Sequence, residues 1–302
     1  MTRFAQIRDR LTHSQIVPYF FLLPALVVLG LTVFLPAVQA SILSLTRYDA
    51  IGAPQWVGLS NFWRLGTDPT FWKVAGNSLL YLIVVVPILV FASLGLAILV
   101  NRQLRGIRWF RLAFYTPVVI SMVVAGIAWK AVYASNGLLN QFLQVLGIEQ
   151  GIPWLTSPQL ALWSVMVVTI WKGLGYYMAI YLAGLQSISP ELYEAAALDG
   201  SQGWRKHWDI TLPLMRPYLT LVAVISAISA TKVFEEVYVM TQGGPRSSSK
   251  TIVYYVYEQA FENLEIGYAC ALGLVLFLGI FLLSVLNLLL SRDGNFYGTF
   301  RG

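Results

Sequence analysis

Pro190-Glu191-Leu192-Tyr193-Glu194-Ala195-Ala196-Ala197-Leu198-Asp199-Gly200, closed downstream by Ile210-Thr211-Leu212-Pro213, is a polar island between two long apolar runs. The segment 187–217 reads as a helix-turn-helix lying outside those runs. Ser189 suits the cap of its first helix and Pro190 the first helical position. Glu191 and Glu194 suit the positive end of that helix. Gly200 suits a left-handed C-terminal residue, and Ser201 the cap of the next turn. Ala195, Ala196 and Ala197 leave a thin surface that another backbone could approach, with Leu192, Tyr193 and Leu198 as apolar anchors. These residues alone allow two readings: an amphipathic helix resting on lipid, or a helix that fills a groove on another protein.

The flanking runs set the class. The chain has 302 residues, of which 57% are hydrophobic and 11% charged. Soluble domains carry about 25% charged residues. Apolar runs long enough to cross a hydrocarbon core of about 30 Å imply an all-α membrane protein of six helices, near 16–44, 75–101, 110–134, 160–186, 212–241 and 264–291. Pro24, Pro36, Pro87 and Pro117 fall inside these runs, where kinks are tolerated if neighbours satisfy the freed backbone. Arg3, Arg8 and Arg10, with Ala37-Val38-Gln39-Ala40, imitate a leader and its cleavage site. The run from Ile16 to Leu43 exceeds a leader core of about 7–15 residues and reads as an uncleaved first helix. One membrane domain, 1–302 with its core at 70–291, is the expected organisation.

Orientation follows from the basic residues. With the N-terminus inside, the inner segments hold twelve: Arg3, Arg8, Arg10, Arg102, Arg105, Arg108, Arg111, Arg205, Lys206, Arg216, Arg292 and Arg301. The outer segments, 46–74 and 135–159 among them, hold Arg47, Arg64, Lys73, Arg246 and Lys250; Lys130, Lys172 and Lys232 lie within helices. The bias places both termini and the 187–217 loop in the cytoplasm. It also accounts for the net charge of +6 without a nucleic-acid surface. The lone Cys270 excludes an internal disulfide, and neither it nor the separated His13 and His207 has metal-ligand spacing. No phosphate-binding loop and no nucleophile-and-base set is present, so the chain reads as a non-enzyme with no catalytic residue, metal or cofactor of its own.

Glu-Ala-Ala, three residues, Gly, nine residues and Ile-x-Leu-Pro resembles the cytoplasmic loop of membrane subunits of bacterial ATP-binding-cassette importers. Trp56-Val57-Gly58-Leu59-Ser60-Asn61-Phe62, Thr241-Gln242-Gly243-Gly244-Pro245 and Tyr257-Glu258-Gln259-Ala260-Phe261 extend the likeness across the chain. Together they resemble permeases of the carbohydrate-uptake class, which includes the maltose and glycerol-3-phosphate systems, in its compact six-helix version. The resemblance implies the type I importer fold and a site in the bacterial cytoplasmic (inner) membrane. It implies a second, homologous permease, two ATPase subunits that bind ATP and Mg, and an extracytoplasmic solute-binding protein. Glu191, Glu194, Ala195, Ala196, Asp199, Gly200, Ile210, Leu212 and Pro213 are then the ATPase-coupling residues.

Charged residues inside a membrane are costly and mark pathways or internal pairs. The fourth run carries Trp171, Lys172, Gly173, Tyr176 and Tyr177; the fifth carries Lys232, Glu235 and Glu236. Lys232 and Glu236 are four apart, so they are expected to pair on one helix face, chiefly as a structural contact. Ser226, Ser229, Val233 and Glu236 share a helical stripe. One reading is a structural charge cluster. The other is a solute path, for which the resemblance implies Trp171, Lys172, Gly173 and Tyr176 and positions near Ser226, Ser229, Ala230 and Val233, and to which Lys232 and Glu236 belong as intramembrane charges. Aromatic faces, hydroxyls and charged hydrogen-bonding groups suit a polyhydroxylated solute. An anionic solute such as glycerol-3-phosphate is the alternative within transport, opposed by Glu235 and Glu236. An ion-coupled secondary carrier is the alternative of another class, and neither inverted repeats nor discontinuous helices are evident for it.

Overall fold

A computed structural model describes residues 17–102, 105–148 and 150–292. Arg3, Arg8, Arg10, His13 and Arg301, and the start of the first run at Ile16, lie outside the described residues. The chain divides into two compact units: residues up to Arg64 together with Gln259–Leu274, and Leu65–Glu258 together with residues from Val275 onward.

In the first unit, α1 (Val17–Leu29) passes through a π-helical turn, Gly30–Phe34, into α2 (Leu35–Leu43). The widened turn precedes Pro36, which sits at the start of α2. Such a turn accommodates a ring that cannot donate to the ladder. The side chains from Tyr19 to Leu29 of α1, and most of those of α2, are exposed within the chain, as suits a surface facing lipid or another subunit. A two-stranded hairpin follows, with β1 (Thr46–Arg47) paired antiparallel to β2 (Gln55–Trp56). The amide of Asn61, the first-turn residue of α3 (Ser60–Thr67), donates to the carbonyls of Ser44 and Thr46 at 2.8 and 2.9 Å. Arg64 pairs with Glu265 at 2.7 Å and lies over the Tyr268 ring.

The second unit holds the helices that position the candidate site. α4 (Pro69–Val100) is capped by Asp68, whose carboxylate accepts from Thr70 N–H at 2.8 Å and from Tyr255 Oη at 2.6 Å. Pro69, read from sequence as part of the outer connection, instead opens this helix, where its missing N–H costs nothing. At the other end Arg111 donates through Nε and Nη2 to the Val100 carbonyl at 3.1 and 2.7 Å. That satisfies an orphan acceptor and opposes the helix dipole. α4 packs on α8 (Ala161–Gln186) and α10 (Leu212–Thr231), and α8 also packs on α5 (Ile107–Val119). Tyr81, Val85, Val165, Val168, Tyr181, Met215 and Val222 are fully buried in this core.

Two expected helices are interrupted. The run at 110–134 divides into α5 and α6 (Met122–Val132), bent by 102°. Ile120 is extended and Ser121 caps α6, accepting from Val124 N–H at 3.3 Å. The run at 212–241 ends at Thr231 and resumes as α11 (Glu235–Met240). The Val233 carbonyl freed there accepts from Thr251 Oγ1 at 3.0 Å. The expectation that no helix is discontinuous is therefore corrected. Both breaks survive in an apolar sequence because polar groups elsewhere satisfy the released backbone.

Among the described residues, five helical stretches are long and apolar enough to cross a membrane: Tyr19–Leu43, Pro69–Val100, Ala161–Gln186, His207–Thr231 and Ile266–Val285. The bent α5–α6 pair makes a sixth if it is one span. The last lies in α13 (Ile266–Arg292), which begins in the first unit and continues in the second. The segment 135–159, expected as an outer connection, is partly helical. It contains α7 (Leu138–Val145), and the buried Asn140 amide bonds Ala134 O, Ile152 O, Ile152 N and Trp154 Nε1 at 3.0–3.1 Å. The Gly243-Gly244-Pro245 turn, with a cis Gly244–Pro245 bond, leads to α12 (Ile252–Tyr257). Lys73 and Asn77 of α4 donate to carbonyls of Arg246, Ser247 and Lys250, and Lys250 pairs with Glu258 at 2.6 Å.

Candidate functional site: a surface helix and two broken spans

The surface loop forms α9 (Pro190–Leu198), with Pro190 at its first position and Glu191 in its first turn. Ser189 occupies the cap position, but its side chain makes no capping bond, which corrects the sequence reading. The C-terminus is a Schellman turn. Gly200 has φ +84°, its N–H bonds Ala197 O at 3.2 Å, and Ser201 N–H bonds Ala196 O at 2.8 Å. Ser201 does not cap the next turn; its hydroxyl donates to Asp209 at 2.6 Å, and Asp209 also meets Arg205 at 3.4 Å. Ile210 lies in a π-helical turn, His207–Thr211, that runs into Leu212 and Pro213 at the start of α10.

This bracing decides which face of α9 is free. Tyr193, expected to be an outward anchor, turns to Thr211, with 3.2 Å between their hydroxyl oxygens; His207 Nδ1 meets the same hydroxyl at 3.1 Å. Ala196 is buried, so the thin surface comes from Ala195 rather than from all three alanines. Glu191, Leu192, Glu194, Ala195, Leu198, Asp199 and Gly200 are exposed; Leu198 is 89% exposed. An exposed leucine beside carboxylates and a one-atom side chain suits a groove-filling contact. The sequence reading missed the braces Tyr193–Thr211 and Ser201–Asp209. Their signal was the cluster of hydroxyl and charged residues between two apolar runs.

The residues proposed for the solute path are only partly brought together. Trp171 stands edge-on to Trp129 of α6, with ring centroids 5.5 Å apart. Lys172 donates to the Val118 carbonyl at 3.3 Å. Gly173 packs against α4, where an added Cβ would lie 2.8 Å from a Leu89 methyl. Tyr176 and Ser229 are exposed, whereas Ser226 and Val233 are buried, and the Ser226 hydroxyl turns back to Ala223 O. The supposed stripe is split because the helix stops before Val233. Cysteine replacements at Tyr176 and Ser229, in a Cys270→Ser background, should react with small polar thiol reagents. Those at Ser226 and Val233 should be protected at least tenfold more strongly. Equal reactivity at all four would contradict this placement.

The break also removes the expected Lys232–Glu236 pair. Ion pairs among the described residues join Arg64 to Glu265, Arg205 to Asp209 and Lys250 to Glu258. Glu236 instead accepts from Thr169 Oγ1 of α8 at 3.2 Å, and Thr169 accepts from the buried Tyr81 hydroxyl of α4 at 2.5 Å. Lys232 is exposed at the end of α10. A double-mutant cycle with Lys232→Met and Glu236→Gln should therefore be additive to within about 0.5 kcal/mol in assembly stability. A larger coupling would restore the pair.

Residues 69–293 match the family described as "Binding-protein-dependent transport system inner membrane component". The chain belongs to that family. It is thus a multi-pass permease component of the inner membrane that works with a solute-binding protein. The permease is 34% identical over 287 residues to the probable ABC transporter permease protein YurN of Bacillus subtilis, covering 93% of this chain and 98% of that one. It is 32% identical over 281 residues to the lactose transport system permease protein LacF of Rhizobium radiobacter, covering 91% and 94%. It is 34% identical over 301 residues to the arabinooligosaccharides transport system permease protein AraP of B. subtilis, covering 98% and 93%. Its fold matches a chain from a bacterial ABC transporter involved in alginate import, with TM-score 0.81 at 23% identity over 95% of this chain and 99% of the other. A second match is to the bacterial alginate ABC transporter in complex with an alginate-pentasaccharide-bound periplasmic protein. It has TM-score 0.77 at 23% identity, covering 98% and 96%. The interrupted helices are thus not a sign of a secondary carrier.

Proposed function

We propose that the chain is the translocation subunit of an ATP-driven importer for a sugar, oligosaccharide or related polyol. It pairs with a second, similar permease and receives force at α9 from one of two ATPase subunits, which hold the ATP and Mg. The observation that carries this reading is the exposed face of α9, closed by the Gly200 turn and set between two spans of a family permease. The named relatives that move lactose and arabinooligosaccharides support the solute class. Exposed Tyr176 and Ser229 supply an aromatic face and a hydroxyl for such a solute. An anionic solute is less well served, because Lys172 is already engaged with a backbone carbonyl.

The basic residues support a cytoplasmic position for α9 and for both termini. Purification of the tagged chain from native membranes tests the assembly. A second permease and an ATP-binding-cassette ATPase should be retained with it. A chain that purifies alone and accumulates solute on an ion gradient without ATP would overturn the proposal.

A further inference from the structure

Thr169 and Lys172 stand one turn apart on α8, and each holds one of the two interrupted helices. Lys172 Nζ donates at 3.3 Å to Val118 O, among the last four carbonyls of α5. These carbonyls have no partner within their own helix, and a cation there opposes the helix dipole. Thr169 Oγ1 lies 3.2 Å from Glu236 Oε1, in the first turn of α11. The same Oγ1 lies 3.4 Å from Val165 O, one turn back on its own helix. A threonine hydroxyl has one proton. It therefore serves Glu236 or Val165, and not both fully. The Tyr81 hydroxyl, donating at 2.5 Å, fixes the Thr169 oxygen as an acceptor and leaves that single proton as the variable. Tyr81 is fully buried, so water does not compete for it.

We propose that Thr169 is a positioning residue with two settings, which latches the broken α10–α11 span to α8 when no solute is present. This rests on the functional reading above and assigns it a device. With the proton on Glu236, the start of α11 is tied to α8 beside the Lys172 tie to α5. With the proton turned to Val165, Glu236 is released and its carboxylate can accept from a hydroxyl of the solute. No covalent bond changes; one hydrogen bond is exchanged for two. Tyr81 acts through Thr169 and touches no solute. Lys172 remains on Val118 in both settings and keeps the α5 end in place.

The test uses the full assembly in proteoliposomes, with the solute-binding protein and a sugar that it binds, and reads ATP hydrolysis with and without that sugar. Thr169→Val removes the proton but keeps the shape. It should raise sugar-independent hydrolysis and lower the stimulated-to-unstimulated ratio at least threefold. Thr169→Ser should restore the ratio to within twofold of wild type, which a loss of packing alone would not allow. Tyr81→Phe should move the ratio in the same direction as Thr169→Val, and it keeps the test available where Thr169→Val does not assemble. A wild-type ratio in Thr169→Val, or in Tyr81→Phe where that variant stands in, overturns the latch. Equal damage by Thr169→Val and Thr169→Ser also overturns it. A wild-type assembly that sugar does not stimulate overturns the functional reading as well.

Discussion

Gly175→Val is expected to reduce the yield of assembled permease at least tenfold, and Gly175→Ala to lower its thermal stability sharply. Gly175 is buried where α8 crosses α5. A Cβ there would overlap the Phe114 carbonyl oxygen and lie 2.8 Å from the carbonyl carbon and 3.1 Å from Tyr115 Cα. These are backbone atoms and cannot rotate aside. Small residues at such crossings let membrane helices approach closely. Forcing methylenes into a packed core typically costs about 1–3 kcal/mol, and a backbone clash belongs at or above the upper end. Gly173 is the internal control. Its added Cβ meets a Leu89 methyl, which can rotate, so Gly173→Ala should cost clearly less. Melting of the detergent-purified assembly measures both. A Gly175→Val assembly that melts like wild type would show that α5 and α8 do not cross as described.

The second large effect is expected at Gly200. Nothing lies within 4 Å of an added Cβ there, so substitution meets no steric wall. The cost is the backbone itself, because φ is +84°. For a non-glycine residue the left-handed conformation costs roughly 1–2 kcal/mol, and a β-branched residue suffers most. Gly200→Val should therefore open the Schellman turn, release Ser201 from Ala196 O and misdirect the exposed face of α9. Retention of the ATPase during purification should fall about tenfold, the factor that corresponds to roughly 1.4 kcal/mol. Asparagine tolerates this conformation, so Gly200→Asn should stay within a few-fold of wild type. Equal retention in Gly200→Val and wild type would separate the turn from the docking role proposed for it.

Much of this was legible in the sequence, for identifiable reasons. Hydrophobic run length located the spans, because crossing a membrane needs length and apolarity more than any particular residue. Pro190 and Gly200 located the ends of α9, because each has a backbone requirement that few other residues meet. The interruptions were not legible. The apolar character of 107–132 continues through the bend at Ile120, and Lys232, Glu235 and Glu236 at the second break read equally well as charges on one continuous helix. What permits the breaks lies far away in sequence: Lys172 for the Val118 carbonyl and Thr251 for the Val233 carbonyl. The i, i+4 argument for Lys232 and Glu236 failed for the same reason, since it presumed an unbroken helix. Thr169 and Tyr81 carried no signal at all. A hydroxyl within an apolar run stands out only when its partner on another helix is known.

ATP hydrolysis by the assembly reconstituted in proteoliposomes reports whether α9 of this permease receives the ATPase, as proposed. With the solute-binding protein and its solute present, wild-type permease should raise hydrolysis well above the solute-free rate. Gly200→Val and Glu194→Ala should each abolish most of that rise while solute binding to its binding protein is unchanged. Full stimulation in both variants would contradict the account, because force would then be reaching the permease elsewhere than through α9.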